Sequence, residues 1–210
     1  MFRDRADAAA QLAGKLASRY LGAADTVVYG IPRGGVVVAA RIAHELGLPI
    51  DVVVASKIGA PGNPEYAIGA VDPDGAVTPN VYAGYSLPEL EHLGRSAREK
   101  VEQRLDLYRG WAGGIHQVAK TAILVDDGIA TGLTALAAID YLRRHGARRV
   151  VLATPVVSED TAEVMSAAAD ELQAVETPEI FYAVGQFYER FEQVTDEEVM
   201  GAIRGVGHQA

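Results

Sequence analysis

The stretch TAILVDDGIATGLT, residues Thr121 to Thr134, decides how this chain folds. Its apolar start, Ala122 to Val125, is typical of a strand that is buried on both faces, and it ends at two adjacent carboxylates, Asp126 and Asp127. A loop of small residues follows, and a good helix-forming sequence begins at Leu133. Because ligands bind at the carboxyl ends of the strands in an open parallel sheet, the stretch predicts a ligand site at this edge.

The loop after the acidic pair has the components of a phosphate site. Backbone N–H groups in the first turn of a helix lack intrahelical partners and lie at the positive end of the helix dipole. Carboxylates accept hydrogen bonds from vicinal hydroxyls. We therefore predict a ribose 5-phosphate site in which Asp126 and Asp127 bind the ribose, the alternative being an ordinary turn with a capping Asp. The predicted ligands of the 5-phosphate are Ala130, Thr131, Gly132, Leu133 and Thr134.

Four apolar residues, Asp-Asp, three residues and Thr-Gly-x-Thr form a string that resembles the signature of the type I phosphoribosyltransferases, which bind phosphoribosyl pyrophosphate (PRPP). The resemblance extends over most of the chain and is strongest to a bacterial subgroup of predicted phosphoribosyltransferases. It implies transfer of ribose 5-phosphate from PRPP to a nitrogen acceptor such as a nucleobase, with release of pyrophosphate, or the reverse. It also implies Mg²⁺, held mainly by substrate oxygens and water, with Asp126 and Asp127 as indirect ligands.

Composition narrows the class of protein. The 210 residues, 49% of them hydrophobic, are enough for one sizeable core, so we expect a single domain over 1–210. Absence of cysteine excludes disulfides and thiolate metal sites. A net charge of -9 provides no basic surface for nucleic acid or anionic membranes. The sequence shows neither a transmembrane run nor a signal peptide, and we expect a cytoplasmic protein.

Strand and helix patterns alternate along the chain, which predicts an α/β fold with an open, mainly parallel sheet of about five strands flanked by helices. By resemblance, this is the type I phosphoribosyltransferase fold with an inserted long helix and a small hood-like subdomain. The predicted strands are Thr26 to Tyr29, Ile50 to Ala55, Ala122 to Val125, Arg149 to Thr154 and Leu172 to Val175. The predicted helices include Arg3 to Leu21, Val36 to Leu46 and Glu159 to Ala169.

The loop Gly30-Ile-Pro-Arg-Gly-Gly35 is a second candidate anion site. Its two consecutive glycines let the backbone approach a ligand at another strand end, although a plain strand-to-helix turn is the alternative. In the resembled family this position is the pyrophosphate loop, and a non-proline cis peptide is expected between Arg33 and Gly34 or one bond away. The predicted pyrophosphate ligands are Pro32, Arg33, Gly34, Gly35 and Lys57.

The segment from Ser56 to Val71 contains two prolines and three glycines, which predicts an irregular loop as far as Tyr66 and a strand beyond it. This strand and Ala76 to Val81 are expected to pair as a hairpin, with Pro79 on an edge. The resemblance places the flexible catalytic loop here. Lys57 and Glu65 are the catalytic candidates, as a charge on the pyrophosphate and as a proton carrier, and the alternative for both is a solvated surface charge.

Two further segments complete the predicted organisation. Residues 80–115 form an insertion with one long helix from Ser86 to Arg109, which packs on the active-site loop or across a dimer interface; a homo-oligomer, most simply a dimer, is expected. Trp111 is predicted to anchor a core. Residues 178–210 combine aromatic residues with a final helix. Phe181 and Tyr182 are candidates for stacking on the base, or alternatively close the core.

The residue before the Thr-Gly pair bears on the acceptor. It is Ala130 here, as in the adenine enzymes, whereas the hypoxanthine and guanine enzymes usually have Asp. A 6-oxopurine acceptor is therefore less expected. Another class of function remains open, a regulatory protein that binds PRPP or a nucleotide without turnover. A nicotinamide-dependent oxidoreductase is disfavoured because Gly-x-Gly-x-x-Gly does not occur.

Overall fold

A computed structural model of the chain describes residues 1–109 and 118–207. Its strands are β1 (Thr26–Gly30), β2 (Ile50–Val52), β3 (Ser56–Ala60), β4 (Asn63–Val71), β5 (Val77–Pro79), β6 (Thr121–Val125), β7 (Arg149–Val156) and β8 (Glu171–Glu176). Its α-helices are α1 (Arg5–Tyr20), α2 (Gly34–Leu46), α3 (Leu87–Leu93), α4 (Arg95–Arg109), α5 (Leu133–Arg144), α6 (Glu159–Ala168) and α7 (Asp196–Gly207). A short 3-10 helix spans Val184–Phe187.

The main sheet has the strand order β2–β1–β6–β7–β8, and every pairing in it is parallel. Side chains alternate across the central strand β6: Ile123 and Val125 belong to the core cluster that also contains residues of α1, α2 and α7, whereas Ala122 and Leu124 belong to the cluster that contains residues of α5 and α6. Both faces of β6 are therefore buried. The predicted open sheet of about five strands is confirmed, and its carboxyl edge carries the loops that follow β1 and β6.

A second, antiparallel sheet has the order β3–β4–β5, and it corrects the prediction for Ser56 to Tyr66. That segment is not an irregular loop but the hairpin of β3 and β4. Gly62 lies in the turn with φ of 77°, and Gly59 lies at a register shift where Cβ would come within 2.6 Å of the Pro64 carbonyl oxygen. Gly62 and Gly59, which argued against strands, thus lie in the turn and at the bulge, where glycine is compatible with the hairpin.

Two further differences from the predicted elements bear on the fold. β2 ends at Val52, so the predicted strand to Ala55 is too long, and the chain then enters the second sheet. The predicted continuous helix is broken at Gly94 into α3 and α4, where Cβ would lie 3.1 Å from Cδ1 of Ile58. The close approach to β3 explains the break. Residues 110–115 of the predicted insertion, including Trp111, lie outside the described residues, and the 80–115 and 178–210 divisions stay predictions.

The second sheet is attached to α5. Ala67 and Ala70 of β4 pack against Leu133 and Ala137 on that helix. At the other end of the helix, Arg144 forms ion pairs with Asp72 and Asp74 in the turn between β4 and β5. One helix therefore carries both the loop after β6 and the second sheet. Among the described residues, no helix is long and apolar enough to cross a membrane.

Candidate functional site

The two segments predicted to bind anion and ribose lie against each other at the carboxyl edge of the main sheet. A Cβ atom on Gly34 would overlap Oδ2 of Asp127. A Cβ on Gly35 would lie 2.7 Å from the carbonyl oxygen of Val125 and 2.9 Å from Cα of Asp126. The absence of side chains at these glycines is thus what lets the loop after β1 contact the acidic pair after β6.

The glycine loop contains a cis peptide bond between Pro32 and Arg33, one bond from the first position expected. The helix α2 begins directly after it, at Gly34. Arg33 is half-buried and lines the same cavity as Asp127. Among the described residues, none forms a hydrogen bond or ion pair with the Arg33 guanidinium. A cation so placed is suited to an anionic ligand.

The two carboxylates of the acidic pair have different electrostatic surroundings. Burial, and secondly the neighbouring charge of Asp127, raise the pKa of Asp126 well above its ordinary value. The backbone N–H of Asp127 donates to Oδ1 of Asp126 at 2.9 Å. The Asp127 carboxylate instead accepts a hydrogen bond from Nε of Arg5, 2.7 Å from Oδ2. A cation therefore supports Asp127, whereas burial favours the protonated form of Asp126.

The loop after the acidic pair ends in a backbone cup at the start of α5. Gly132 caps the helix with φ of 73°, a left-handed conformation that favours glycine. The backbone N–H groups of Thr131, Gly132, Leu133 and Thr134 donate to no described residue. Helix α6 supports this loop, because Oγ1 of Thr161 donates a hydrogen bond to the carbonyl oxygen of Ala130 at 2.7 Å. Free donors at a helix start fit a phosphate monoester.

Lys57 and Glu65 contact each other rather than the acidic pair. Nζ of Lys57 lies 2.8 Å from Oε2 of Glu65 across the β3–β4 hairpin, and the two side chains are 44% and 86% exposed. The hydrogen bond to Lys57 lowers the pKa of Glu65. Within the described residues, neither side chain bonds to Asp126, Asp127 or Arg33. Their catalytic roles stay predictions.

The aromatic candidates for base stacking separate in the structure. The ring of Phe181 packs against Phe187, with centroids 5.2 Å apart, in a cluster around Phe2 and Tyr188. Tyr182 is 87% exposed. Neither residue lines the cavity beside Asp127, which has a volume of about 430 Å³. The stacking role of Phe181 and Tyr182 stays a prediction.

The lining of this cavity includes side chains that were not predicted from the sequence to be site residues, Arg5 and Val184 among them. Arg5, Val184 and Phe191 line it together with Arg33 and Asp127. The structure shows that Arg5 is the first residue of α1, where a cation faces the positive end of the helix dipole, whereas the sequence predicted a helix start at Arg3. The contact of Val184 with Gly128 joins residues that are distant in sequence, so only the structure shows it.

Mg²⁺ fits the donor set at this edge as an indirectly held ion. Among residues 1–109 and 118–207, no group of three or more His, Cys, Asp or Glu side chains could hold a metal ion by itself. Asp126 and Asp127 are the two carboxylates in the loop that leads to the backbone cup; Asp127 is paired with Arg5, and Asp126 is buried. Because Mg²⁺ retains waters and is commonly bound by one or two carboxylates and substrate phosphates, this set suits an ion that enters with a phosphorylated substrate.

Comparisons with known proteins identify the family of this chain. The family model described as phosphoribosyl transferase domain matches residues 3–192. Proteins of two Mycobacterium tuberculosis strains, named provisionally as phosphoribosyl transferases, are 41% identical over 207 residues, and the chain spans 46% of their length and 97% of its own. A solved structure from Thermus thermophilus is 43% identical with a TM-score of 0.80, covering 96% of this chain and 97% of that one. The chain therefore belongs to the phosphoribosyl transferase domain family.

Proposed function

We propose that the chain transfers the ribose 5-phosphate of PRPP to a nitrogen acceptor, a nucleobase, with release of pyrophosphate, or catalyses the reverse reaction. The observation that carries this proposal is the contact of Gly34 with Asp127. The contact supports the proposal because the loop that we propose to bind pyrophosphate lies beside a carboxylate that suits a ribose hydroxyl. A simple sugar phosphate would need only the cup at α5, whereas PRPP needs anion sites on both sides of the ribose.

Each part of the edge takes one part of the substrate in this proposal. The cup from Ala130 to Thr134 binds the 5-phosphate, Asp126 and Asp127 bind the ribose hydroxyls, and residues 32–35 bind the pyrophosphate with Lys57. The bond from C1 to the pyrophosphate oxygen breaks and a bond from C1 to the acceptor nitrogen forms, through an oxocarbenium-like state. Catalysis then comes from positioning and from stabilising the leaving pyrophosphate. Mg²⁺, when bound, neutralises phosphate charge.

In this proposal the acceptor enters the cavity beside Asp127. Val184 and Phe191 contribute apolar atoms to the lining of this cavity, although Arg5 already lies over the Phe191 ring. Ala130 has no side chain that could contact the base as an acid. Glu65 would carry a proton only after it releases Lys57. By resemblance to the family, we also expect the chain to act as a cytoplasmic homodimer.

A turnover assay tests the proposal. PRPP and Mg²⁺ are supplied with a panel of purine and pyrimidine bases, and released pyrophosphate is measured. We expect turnover with at least one base. Asp127→Asn, which keeps the shape of the side chain, should weaken PRPP binding by about 1–3 kcal/mol because a charge-assisted hydrogen bond is lost. Unchanged affinity would place the ribose elsewhere.

The alternative function is a regulatory protein that binds PRPP or a nucleotide without turnover. The observation that favours it is that two of the three carboxylates with proposed roles already have a cationic partner: Asp127 pairs with Arg5, and Glu65 pairs with Lys57. Under this alternative, PRPP binds tightly, and no base in the panel gives pyrophosphate above the level of Asp127→Asn. Turnover on any base excludes it.

A further inference from the structure

A closed ring of contacts surrounds Asp127. Its carboxylate pairs with Arg5, whose guanidinium carbon lies 4.0 Å from the centroid of the Phe191 ring. That ring stacks on Tyr188 at 4.8 Å, and the Tyr188 hydroxyl donates to the Asp127 carbonyl oxygen at 2.6 Å. We call Arg5, Phe191 and Tyr188 the Asp127 clamp. It holds both the main chain and the side chain of one residue.

The clamp joins three parts of the chain that are far apart in sequence. Nη1 of Arg5 also donates to the Glu192 carbonyl oxygen at 2.8 Å, so one guanidinium ties α1 to the C-terminal segment and to the loop after β6. The side chains of Arg5 and Asp127 are only 13% and 15% exposed. Buried charges of this kind require good geometry, since their desolvation is costly. The pair is therefore a built contact and not a chance meeting of surface side chains.

Two observations point beyond a stabilising role for Arg5. As the first residue of α1 it places a cation at the positive end of the helix dipole, which disfavours it there as a helix-stabilising residue. Its side chain also lines the same cavity as Arg33, Gly34 and Asp127. A carboxylate has about four acceptor positions, and Nε of Arg5 occupies one of them. Because Nε of Arg5 takes only one of these positions, the bond sets the orientation of the group without using all of its acceptors.

We propose that Arg5 is a positioning residue for ribose binding: through the Asp127 clamp it orients the Asp127 carboxylate for the hydroxyls of PRPP. The inference rests on the proposed function, because it concerns the same ligand. Arg5 acts through Asp127 and does not itself contact the sugar. The C-terminal segment is part of the same device, since Phe191 and Tyr188 hold the guanidinium and the main chain in place.

A double-mutant cycle tests this inference with PRPP and Mg²⁺ as the probe, by titration calorimetry on the full chain. Arg5→Ala should weaken PRPP binding about tenfold. In the Asp127→Asn background the same change should have no further effect, because the group it orients is already lost. Arg3→Ala is the matched control: Arg3 is near the same helix start, is 72% exposed and pairs only with Asp7 among the described residues. The Arg3→Ala variant should bind PRPP with the same affinity as the unmodified chain.

Arg5→Lys provides a second variant if Arg5→Ala does not fold. It keeps the charge but lacks the planar fork that reaches both Asp127 and Glu192, and it should restore only part of the affinity. Equal losses in both backgrounds would show that Arg5 contacts the ligand directly and would overturn the inference, as would unchanged affinity in both Arg5 variants. Failure of the unmodified chain to bind PRPP would overturn the proposed function and the inference with it.

Discussion

Gly34 and Asp127 lie so close together that a Cβ atom on Gly34 would overlap Oδ2 of the carboxylate and approach Nε of Arg5 to 2.9 Å. Gly34 is the first residue of α2, and Asp127 follows β6, so the contact joins two loops of the same sheet edge. It means that the smallest possible side chain at position 34 has to displace the carboxylate or the loop. The contact therefore offers a direct test of the site.

Gly34→Ala should weaken PRPP binding by about tenfold or more, because the methyl group displaces the Asp127 carboxylate. Titration calorimetry with PRPP and Mg²⁺ measures the effect. Gly14→Ala is the matched control: Gly14 is a helical glycine of α1 with no heavy atom within 4 Å of the added Cβ. The control should bind PRPP normally and be slightly more stable, since Ala is the better helix former. Normal binding by Gly34→Ala would contradict the proposed site.

Lys57→Ala should slow turnover more than it weakens PRPP binding, if Lys57 stabilises the leaving pyrophosphate. Stability should hardly change, since an exposed ion pair contributes about 0–1 kcal/mol. Pyrophosphate release and PRPP affinity are measured in parallel. Lys120→Ala is the control, because Lys120 also forms an exposed ion pair, 2.7 Å from Asp25, but at the amino end of β6. Equal losses in rate and affinity would assign Lys57 to ground-state binding.

Arg144→Met should destabilise the attachment of the second sheet to α5. The substitution leaves the Asp72 carboxylate, which is only 2% exposed, with two backbone N–H donors and without its cation. We therefore expect the free energy of unfolding to fall by about 1–3 kcal/mol. Urea denaturation measures it. Arg143→Met is the matched neighbour, because Arg143 bonds to the Ala168 carbonyl oxygen and Asp170 near the surface. Equal effects of the two changes would contradict a special role for the Asp72 pair.

Asp51→Asn should stabilise the chain near neutral pH. Burial raises the pKa of Asp51 from 3.8 to about 6, so the folded state favours the protonated carboxyl. The protonated Asp51 carboxyl stabilises the folded state fully when the pH is below the pKa of this group in the unfolded chain. This contribution is lost as the pH rises through about 6, the pKa in the folded state. Asn removes the charge, and we expect a gain of about 1–2 kcal/mol near pH 7 that vanishes near pH 4.

Urea denaturation at the two pH values measures the gain. Asp25→Asn serves as the control of opposite sign, because the hydrogen bond with Lys120 lowers the pKa of the exposed Asp25 carboxyl. That variant should not become more stable near neutral pH. A gain for Asp51→Asn that persists at acidic pH would show that the burial of the charge is not its cause.

The main sheet and the positions of its ligand loops could be predicted because their signals are local. An apolar run that ends at Asp126, followed by small residues and a helix start at Leu133, contains its own strand, loop and helix. The hairpin of β3 and β4 could not be predicted in this way, because Gly59 and Pro61, taken by themselves, argue against strands. Pairing across the hairpin satisfies the backbone of that segment, and this is a non-local effect.

The sequence by itself determined the class of fold, the acidic pair and the two glycine-containing loops, since each is written in a continuous stretch whose chemistry does not depend on distant residues. Only the tertiary structure decided that Gly34 touches Asp127 and that Arg5, 122 positions away from that carboxylate, pairs with it. The physical reason is that parallel strands bring their carboxyl ends to one edge whatever their separation in sequence. Contacts across that edge depend on packing between elements, which no local pattern records.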